Sequence, residues 1–307
     1  MFQELVHDFE TAYMPRLAFP TRLKYTSLLR CHVKPRFSLT PVEELSTRRI
    51  DEWLATGTVG GLSWATRSSL RNLVSAIFTR AEIWGVYAGK NPATRASAGR
   101  KGAKYEKRKL TVQQTVALLK AVPKDVRIIC MVALFCGLRI SEVLGLCWRH
   151  IDFGRGMLLI RQRYYRGDLD RTKSDKSDRD IPFGHLSQLL RKLYPGPQAS
   201  GRFCFEIKTA RGGVTRDDRA LRCNFLNPAA KKLGIYYRGF GFHAFRREAV
   251  TAISSKAGAI QACRVAGHTS MDVTLLYGLD DYIKQEQAIK SNQEPFLIVG
   301  LLGASNG

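Results

Sequence analysis

Acidic residues are scarce in this sequence. Of its 307 residues, 26 are Asp or Glu and 49 are Lys or Arg, a formal net charge of +23. Such a surplus sets up a long-range field that attracts polyanions. Nucleic acid is the expected partner, because phosphate neutralisation with counterion release dominates such binding and makes it steeply salt-dependent. Charge alone leaves two other readings open, a merely soluble basic protein and one that binds anionic membranes. The acids present form no cluster suited to Mg²⁺, which disfavours a metal-dependent nuclease, and no cofactor is expected. The seven cysteines (Cys31, Cys130, Cys136, Cys147, Cys204, Cys223 and Cys263) contain no CxxC pair and are odd in number. That argues against a zinc site or a disulfide frame and for reduced thiols, most of them in apolar surroundings such as "IICMVALFCGL". No stretch approaches the roughly 20 apolar residues of a membrane span. The N-terminus "MFQELVHDFETAY" lacks a basic region followed by an apolar run, so no secretory signal is expected. These absences predict a cytoplasmic, nucleoid-associated protein with no membrane partner.

What is present is enough apolar material, 45% of residues, for real cores in about two domains. Residues 1–95 read as a bundle of about four helices. "FQELVHDFETAYM" and "TRLKYTSLLRCHV" carry apolar residues at three-to-four spacing. "STRRIDEWLATG" offers Ser46 as N-cap and Gly57 as stop. "SWATRSSLRNLVSAIFTRAEIWGVYAG" is again opened by Ser and closed by Gly. The polar faces carry Arg22, Lys24, Arg30, Arg67 and Arg71. Such charges usually only solvate a face, but in so basic a chain DNA contact is as open a reading, and Arg67 and Arg71 are candidate DNA-binding residues. Residues 90–110, "KNPATRASAGRKGAKYEKRKL", have almost no core material and read as an exposed basic linker around 96–110, whose Lys101 and Lys104 could track a DNA backbone.

A second domain, 111–307, opens with a capping-box pattern at Thr111 and Gln114. "DVRIICMVALFCG" is near-continuously apolar and predicts a buried helix. "MLLIRQRYY" and "RDIPF" read as strands on either side of a polar, lysine-bearing turn, "RGDLDRTKSDKSD". The remainder reads as mostly helical, with "EPFLIVGL" a last short strand or helix. The expected fold is mainly α with a small antiparallel β-sheet.

Four short motifs stand out in the second domain. "CGLRISE" puts Glu142 three residues after Arg139, on one helix face. The turn carries Lys173 and Lys176. "GFHAFRRE" gives His243 and Arg246, again three apart, and "AGHTSMDVTLLYG" gives His268 and Tyr277. Each has an ordinary reading. An RxxE pair is usually a surface ion pair worth under about 1 kcal/mol. HxxR arises by chance on amphipathic helices, a turn lysine is usually only solvated, and a Tyr among leucines is usually core. The combination, in this order and in so basic a chain, is what carries weight.

The set resembles the tyrosine recombinases, the phage-integrase family of site-specific DNA recombinases. "GLRISE" matches the first arginine box, "TKS" before "RDIP" the lysine hairpin, "HAFR" the HxxR box, and "GHTSMDVTLLY" the GH…Tyr box, over roughly 111–280. The helical N-terminal region resembles the family's core-binding domain more loosely. Arg247 stands where many relatives have a second His, and Cys263 and Ala266 where Leu is common.

The resemblance implies metal- and ATP-independent strand transfer through a 3′-phosphotyrosine. Tyr277 would attack the scissile phosphate. Arg139 and Arg246 would clamp the non-bridging oxygens. Lys173, which matches the family hairpin better than Lys176, would protonate the leaving 5′-oxygen. His243 and His268 would hydrogen-bond the phosphate, and Glu142 would orient these side chains. The implied partners are double-stranded DNA with inverted-repeat core sites, a homotetramer on paired sites, and, in some members, accessory DNA-bending proteins. Because the sequence begins close to the region resembling the core-binding domain, the extra arm-site domain of some phage integrases is not expected. Family members often place the segment after the tyrosine on a neighbouring subunit. Two alternatives are a type IB topoisomerase, which relaxes DNA without paired sites, and a non-catalytic DNA-binding protein, which has no need of a spaced nucleophile.

Overall fold

The computed structural model describes residues 1–102, 108–171, 178–208, 214–215, 217–267 and 282–301. Lys104, Lys173, Lys176, His268 and Tyr277 lie outside the described residues. The chain divides into two compact units, Met1–Tyr105 and Glu106–Gly307.

Among the described residues, the regular elements of the first unit are all helical. Helix α1 (Phe2–Asp8) runs on through a π-turn at Phe9–Tyr13. Helix α2 (Phe19–Leu28) continues through a second π-turn, Leu29–Val33, into α3 (Lys34–Phe37). Then come α4 (Thr47–Ala55), α5 (Gly57–Gly60) and α6 (Trp64–Ile83). The expected caps form: the Ser46 hydroxyl accepts from the Arg49 amide at 3.3 Å and Ser63 from the Thr66 amide at 3.2 Å. Each satisfies an amide that the first helical turn leaves without a carbonyl partner. The three-to-four spacing of apolar residues becomes a core in which Phe2 stacks on Phe78 at 5.5 Å and Phe37 meets Trp53 edge-on at 4.9 Å.

Part of the expected linker packs against this unit instead. The Asn91 side-chain amide donates to the Ser75 carbonyl at 2.8 Å and the Thr79 hydroxyl at 2.9 Å. Ala93 and Ala96 are buried. The Ser97 amide donates to Asp51 at 2.6 Å. Alanines this small read as linker composition, yet small side chains are what lets a strand of backbone lie close against a helix.

The second unit begins with α7 (Val112–Ala121), where the predicted capping box closes in both directions: the Gln114 amide donates to the Thr111 hydroxyl at 3.1 Å and the Thr111 amide to Gln114 Oε1 at 3.0 Å. Helix α8 (Lys124–Phe135) is buried from Ile128 to its end, as its continuous apolar run requires. After α9 (Ile140–Gly145) the chain enters its sheets. Strands β1 (Ile151–Asp152), β2 (Met157–Ile160), β3 (Gln162–Tyr165), β4 (Asp168–Arg171) and β5 (Arg179–Pro182) follow. They form an antiparallel β1-β2-β5 sheet and a separate β3-β4 hairpin.

The single strand expected over "MLLIRQRYY" is therefore two, divided at Arg161, and "DLDR" is a strand rather than turn. The hairpin closes with the Tyr165–Asp168 pair across Arg166 and Gly167, both at positive φ (50° and 91°). Two such residues make the tight loop whose twist matches paired strands. Gly145 is needed where α9 crosses β3, since a Cβ there would sit 2.9 Å from Arg163 Cα.

The rest comprises α10 (Leu186–Leu193), a two-residue pair of strands β6 (Ile207–Lys208) and β7 (Val214–Thr215), α11 (Asp218–Leu221), α12 (Asn227–Lys232), α13 (Phe242–Ala266) and α14 (Tyr282–Ile298). Helix α13 is broken at Gly258, whose φ of 86° and ψ of 162° no helix contains. Residues 294–298 of the "EPFLIVGL" segment form the last turn of α14, which packs on α13. Ala288, Ile289 and Phe296 join the core, and Gln293 donates to the Phe183 carbonyl at 3.2 Å while accepting from the His185 amide at 2.7 Å. Among the described residues no helix is long and apolar enough to cross a membrane.

Candidate active site

The second unit assembles a buried knot of charge around Glu142. Its carboxylate lies one turn into α9, only 5% exposed. Arg139 precedes the helix at its N-cap position, so its amide donates to Glu142 Oε2 at 2.9 Å and its Nη1 to Oε1 at 2.8 Å. Nη1 also reaches the Ala266 carbonyl at 3.4 Å, and Nη2 the Gly267 carbonyl at 3.3 Å. The Arg139 side chain keeps 38% of its surface.

Arg246 comes from the first turns of α13 and is buried. Its Nη1 donates to the Gly137 carbonyl at 2.7 Å, its Nη2 to the Ala266 carbonyl, and Glu142 lies 3.9 Å away. His243, one turn earlier on the same helix, is exposed. The RxxE and HxxR spacings, each ordinary alone, thus converge: Arg139, Glu142 and Arg246 meet beside the C-terminal end of α13.

A third arginine, Arg179 in β5, was not singled out by sequence. It donates through Nη2 to Glu142 Oε2 at 2.8 Å, through Nη1 to Oε1 at 3.3 Å, and through Nε to the Val265 carbonyl at 2.8 Å. "RDIP" served as a marker for the strand, and the pattern of a short strand carries no sign that its first residue turns inward.

Burial works to raise the Glu142 pKa, but the charge and hydrogen bonds of Arg179, then those of Arg139, override it and hold the carboxyl below its usual range. Burial, followed by the charge of Arg139, pulls Arg246 down to about 10, against the pull of Glu142. Both groups stay ionised at neutral pH. Three guanidiniums around one carboxylate leave a local cationic surplus, with Arg139 as its exposed face.

Gly267 follows α13 in a left-handed conformation (φ 59°), and a Cβ there would lie 2.9 Å from Arg179 Nη1. That explains the glycine of "AGH": it ends the helix where only a hydrogen fits beside the arginine. His268 is the next residue in sequence.

The first unit holds the other expected residues. Arg67 and Arg71 are one turn apart on α6 and half-buried. Arg67 packs against Gly99, and Arg71 donates to Asn72 at 2.9 and 3.2 Å. Lys101 is exposed and lies 5.3 Å from the Trp64 ring centre. Among the described residues no group of three or more His, Cys, Asp or Glu could hold a metal ion.

Comparisons with known proteins agree on one family. The family model described as "Phage integrase family" matches residues 108–282. The integrase of transposon Tn1549, solved with transposon right-end DNA, superposes with a TM-score of 0.70 at 18% identity, over 95% of this chain and 98% of that one. Phage lambda integrase, solved as a dimer on a core site, gives 0.67 at 17% identity, over 87% and 94% of the two chains. The lambda tetramer bound to a Holliday junction gives 0.68 at 17%, over 89% and 78%. No curated protein matches the sequence. With more than half the chain under the family model and the fold shared over nearly all of it, the protein belongs to the phage integrase family and is a tyrosine recombinase, a site-specific DNA strand transferase.

Proposed function

We propose that this recombinase cuts and rejoins DNA with Tyr277 as nucleophile and the Glu142 knot as its phosphate clamp. The Tyr277 hydroxyl gives up its proton, to His243 or water, as its oxygen attacks the scissile phosphorus and the bond to the 5′-oxygen breaks, leaving a 3′-phosphotyrosine. Lys173 gives the leaving 5′-oxygen its proton. Attack by a 5′-hydroxyl of the partner strand reverses the steps and frees the tyrosine. Arg139 and Arg246 offset the charge that grows on the non-bridging oxygens, with His243 and His268 as further donors.

The observation that carries this reading is the cationic surplus itself. Three arginines share one buried carboxylate, and burial weighs against the charge on Arg246. Such a surplus is stabilised by an anion. Glu142 and two carbonyls take three Arg139 hydrogen bonds, while a guanidinium has five N–H groups, so the exposed side retains donors for a phosphate. The DNA is double-stranded with inverted-repeat core sites, contacted also by Lys101, Lys104, Arg67 and Arg71 of the first unit. The working assembly is a homotetramer on two paired sites, as in the lambda integrase tetramer on a Holliday junction. Accessory DNA-bending proteins are a further partner class, and the protein acts at the nucleoid in the cytoplasm.

The test is covalent capture. The protein is mixed, in EDTA, with a pool of nicked duplexes of randomised core sequence and run on a denaturing gel beside Tyr277→Phe. A protein–DNA band in wild type that the variant lacks establishes the nucleophile and the metal-free route. DNA binding without a band on any duplex overturns the reading.

A further inference from the structure

Resting on the phosphotyrosine reading above, we infer that Arg179 is a positioning residue for the cleavage step, fixing Glu142 and the end of α13 to strand β5 and so holding the Arg139 guanidinium in place. The geometry gives three elements one fastener. Arg179 sits in register with Ile160 on β2, and its own carbonyl accepts from Arg161 Nη1 at 3.0 Å, so its backbone belongs to the sheet. Its guanidinium reaches across to α9 through both oxygens of Glu142 and to α13 through the Val265 carbonyl. The two Arg139 bonds that end on Ala266 and Gly267 use the carbonyls just beyond Val265. Arg179 therefore supports both groups that aim Arg139, the carboxylate and the helix end.

It does this from inside. The Arg179 side chain is 9% exposed and that of Arg139 38%, so a phosphate meets Arg139 while Arg179 stays behind it. The planar fork that grips both carboxylate oxygens and a carbonyl at once belongs to arginine, since lysine offers one nitrogen on a flexible stem. Gly267 fits the same picture, because any side chain there would press on the Arg179 guanidinium.

The charged groups facing Glu142 are Arg139 at the start of its own helix, Arg179 from β5 and Arg246 from α13. Removing Arg179 strips the carboxylate of its strongest counter-charge, so it takes up a proton at higher pH. Once protonated it can no longer accept from Arg139 on both oxygens, and the clamp loosens.

The experiment uses full-length protein and the nicked duplex that wild type captures from the randomised pool. DNA affinity and the single-turnover capture rate are measured for wild type, Arg179→Met and Arg179→Lys between pH 5.5 and 8. The expected result is affinity within about 3-fold of wild type and a capture rate about 30- to 100-fold lower in Arg179→Met, the scale of a misaligned reacting group. The deficit of Arg179→Met widens as pH falls, whereas that of Arg179→Lys, which keeps a positive charge beside Glu142, does not. A purely structural ion pair has no such pH signature: rates within about 3-fold of wild type, or a deficit independent of pH in both variants, overturn the inference. If Arg179→Met does not fold, Arg179→Lys decides. A slower capture rate at unchanged affinity supports the inference, and a wild-type rate overturns it. Failure of wild type to capture any duplex overturns the phosphotyrosine reading and this one with it, whereas wild-type capture with unimpaired variants overturns this one alone.

Discussion

The two units use the same pair of residue types in opposite ways. In the first, Arg48 and Glu52 lie four residues apart on α4, 2.9 Å from one another, with side chains 86% and 60% exposed. In the second, Arg139 and Glu142 lie three apart, 2.8 Å from one another, with Glu142 only 5% exposed. Spacing and distance are nearly identical. What differs is whether other elements close over the pair: α4 presents its pair to solvent, while Glu142 of α9 is met by Arg179 reaching in from β5 and Arg246 from α13. An exposed pair exchanges one set of water contacts for another and contributes little. A buried one has lost its water, so each partner depends on the others.

The sharpest way to break this contrast is Glu142→Ala. It leaves Arg179 and Arg246 buried without their counter-charge, so a loss of about 3–5 kcal/mol is expected in denaturant unfolding. Covalent capture of DNA is expected to be lost as well. A stability within about 1 kcal/mol of wild type, the scale of a solvated pair, would place Glu142 in the same class as Glu52.

The second prediction concerns pH. His150 is buried beside Cys147, whose amide donates to its Nδ1 at 3.1 Å. Burial, then the charges of Arg149 and Arg161, pushes its pKa down to about 4. The folded state therefore keeps His150 neutral while the unfolded chain takes a proton below about pH 6.5. Stability is full above that pH and falls as pH drops toward 4, by about 3 kcal/mol in all. Glu142, with its depressed pKa, contributes in a separate and lower window: its share is present above the unfolded value of about 4.3 and is lost as pH falls through the folded value. Urea unfolding at pH 7.5, 5.5 and 4.5 should show the first decline, and His150→Asn should remove most of it. An unchanged decline in the variant would assign the acid sensitivity elsewhere.

A third, smaller effect is expected at Gly267. Alanine there must hold φ near 59° and meet Arg179 Nη1 at 2.9 Å, so a loss of about 1–2 kcal/mol follows, with slower capture of DNA. Gly57 also has φ of 57° but meets nothing within 4 Å, so Gly57→Ala carries the backbone cost alone. Equal losses at the two sites, measured by thermal unfolding, would show that the contact with Arg179 is soft.

Local chemistry was legible in the sequence, and closure between distant segments was not. Ser46, Ser63 and Thr111 announced their helices because a cap depends on residues three positions away. The apolar run in α8 announced its burial. The family resemblance picks out Arg139, Glu142, His243 and Arg246 as a set, and the structure brings Arg139, Glu142 and Arg246 of that set together. The spacing alone carried no sign that Arg139 and Arg246 reach the same carboxylate, since they are 107 positions apart in the chain. Arg179 was missed because one inward-facing residue at the start of a four-residue strand has no periodicity to betray it. The β3-β4 hairpin was missed because "DLDR" is polar and reads as turn, although strands outside the core can be polar on both faces. The break in α13 rests on Gly258, a single glycine in a pattern that otherwise continues. The packing of residues 91–97 depends on Asn91 finding Ser75 and Thr79, which no composition rule reports.

The smallest predicted effect tests the other side of the contrast. Arg48→Ala removes a well-formed hydrogen-bonded ion pair, with Nε 2.9 Å from Glu52 Oε1. By distance it equals the Arg139–Glu142 pair. If short distance measured strength, the two substitutions would cost alike. The Arg48 side chain is almost fully solvated, however, and holding two long side chains in one geometry costs entropy that the screened attraction barely offsets. The melting temperature of Arg48→Ala is therefore expected within about 1 °C of wild type, at low and at high salt. A drop of several degrees that vanishes in 1 M salt would mean that α4 depends on its surface charge, and that burial is not what separates the two units.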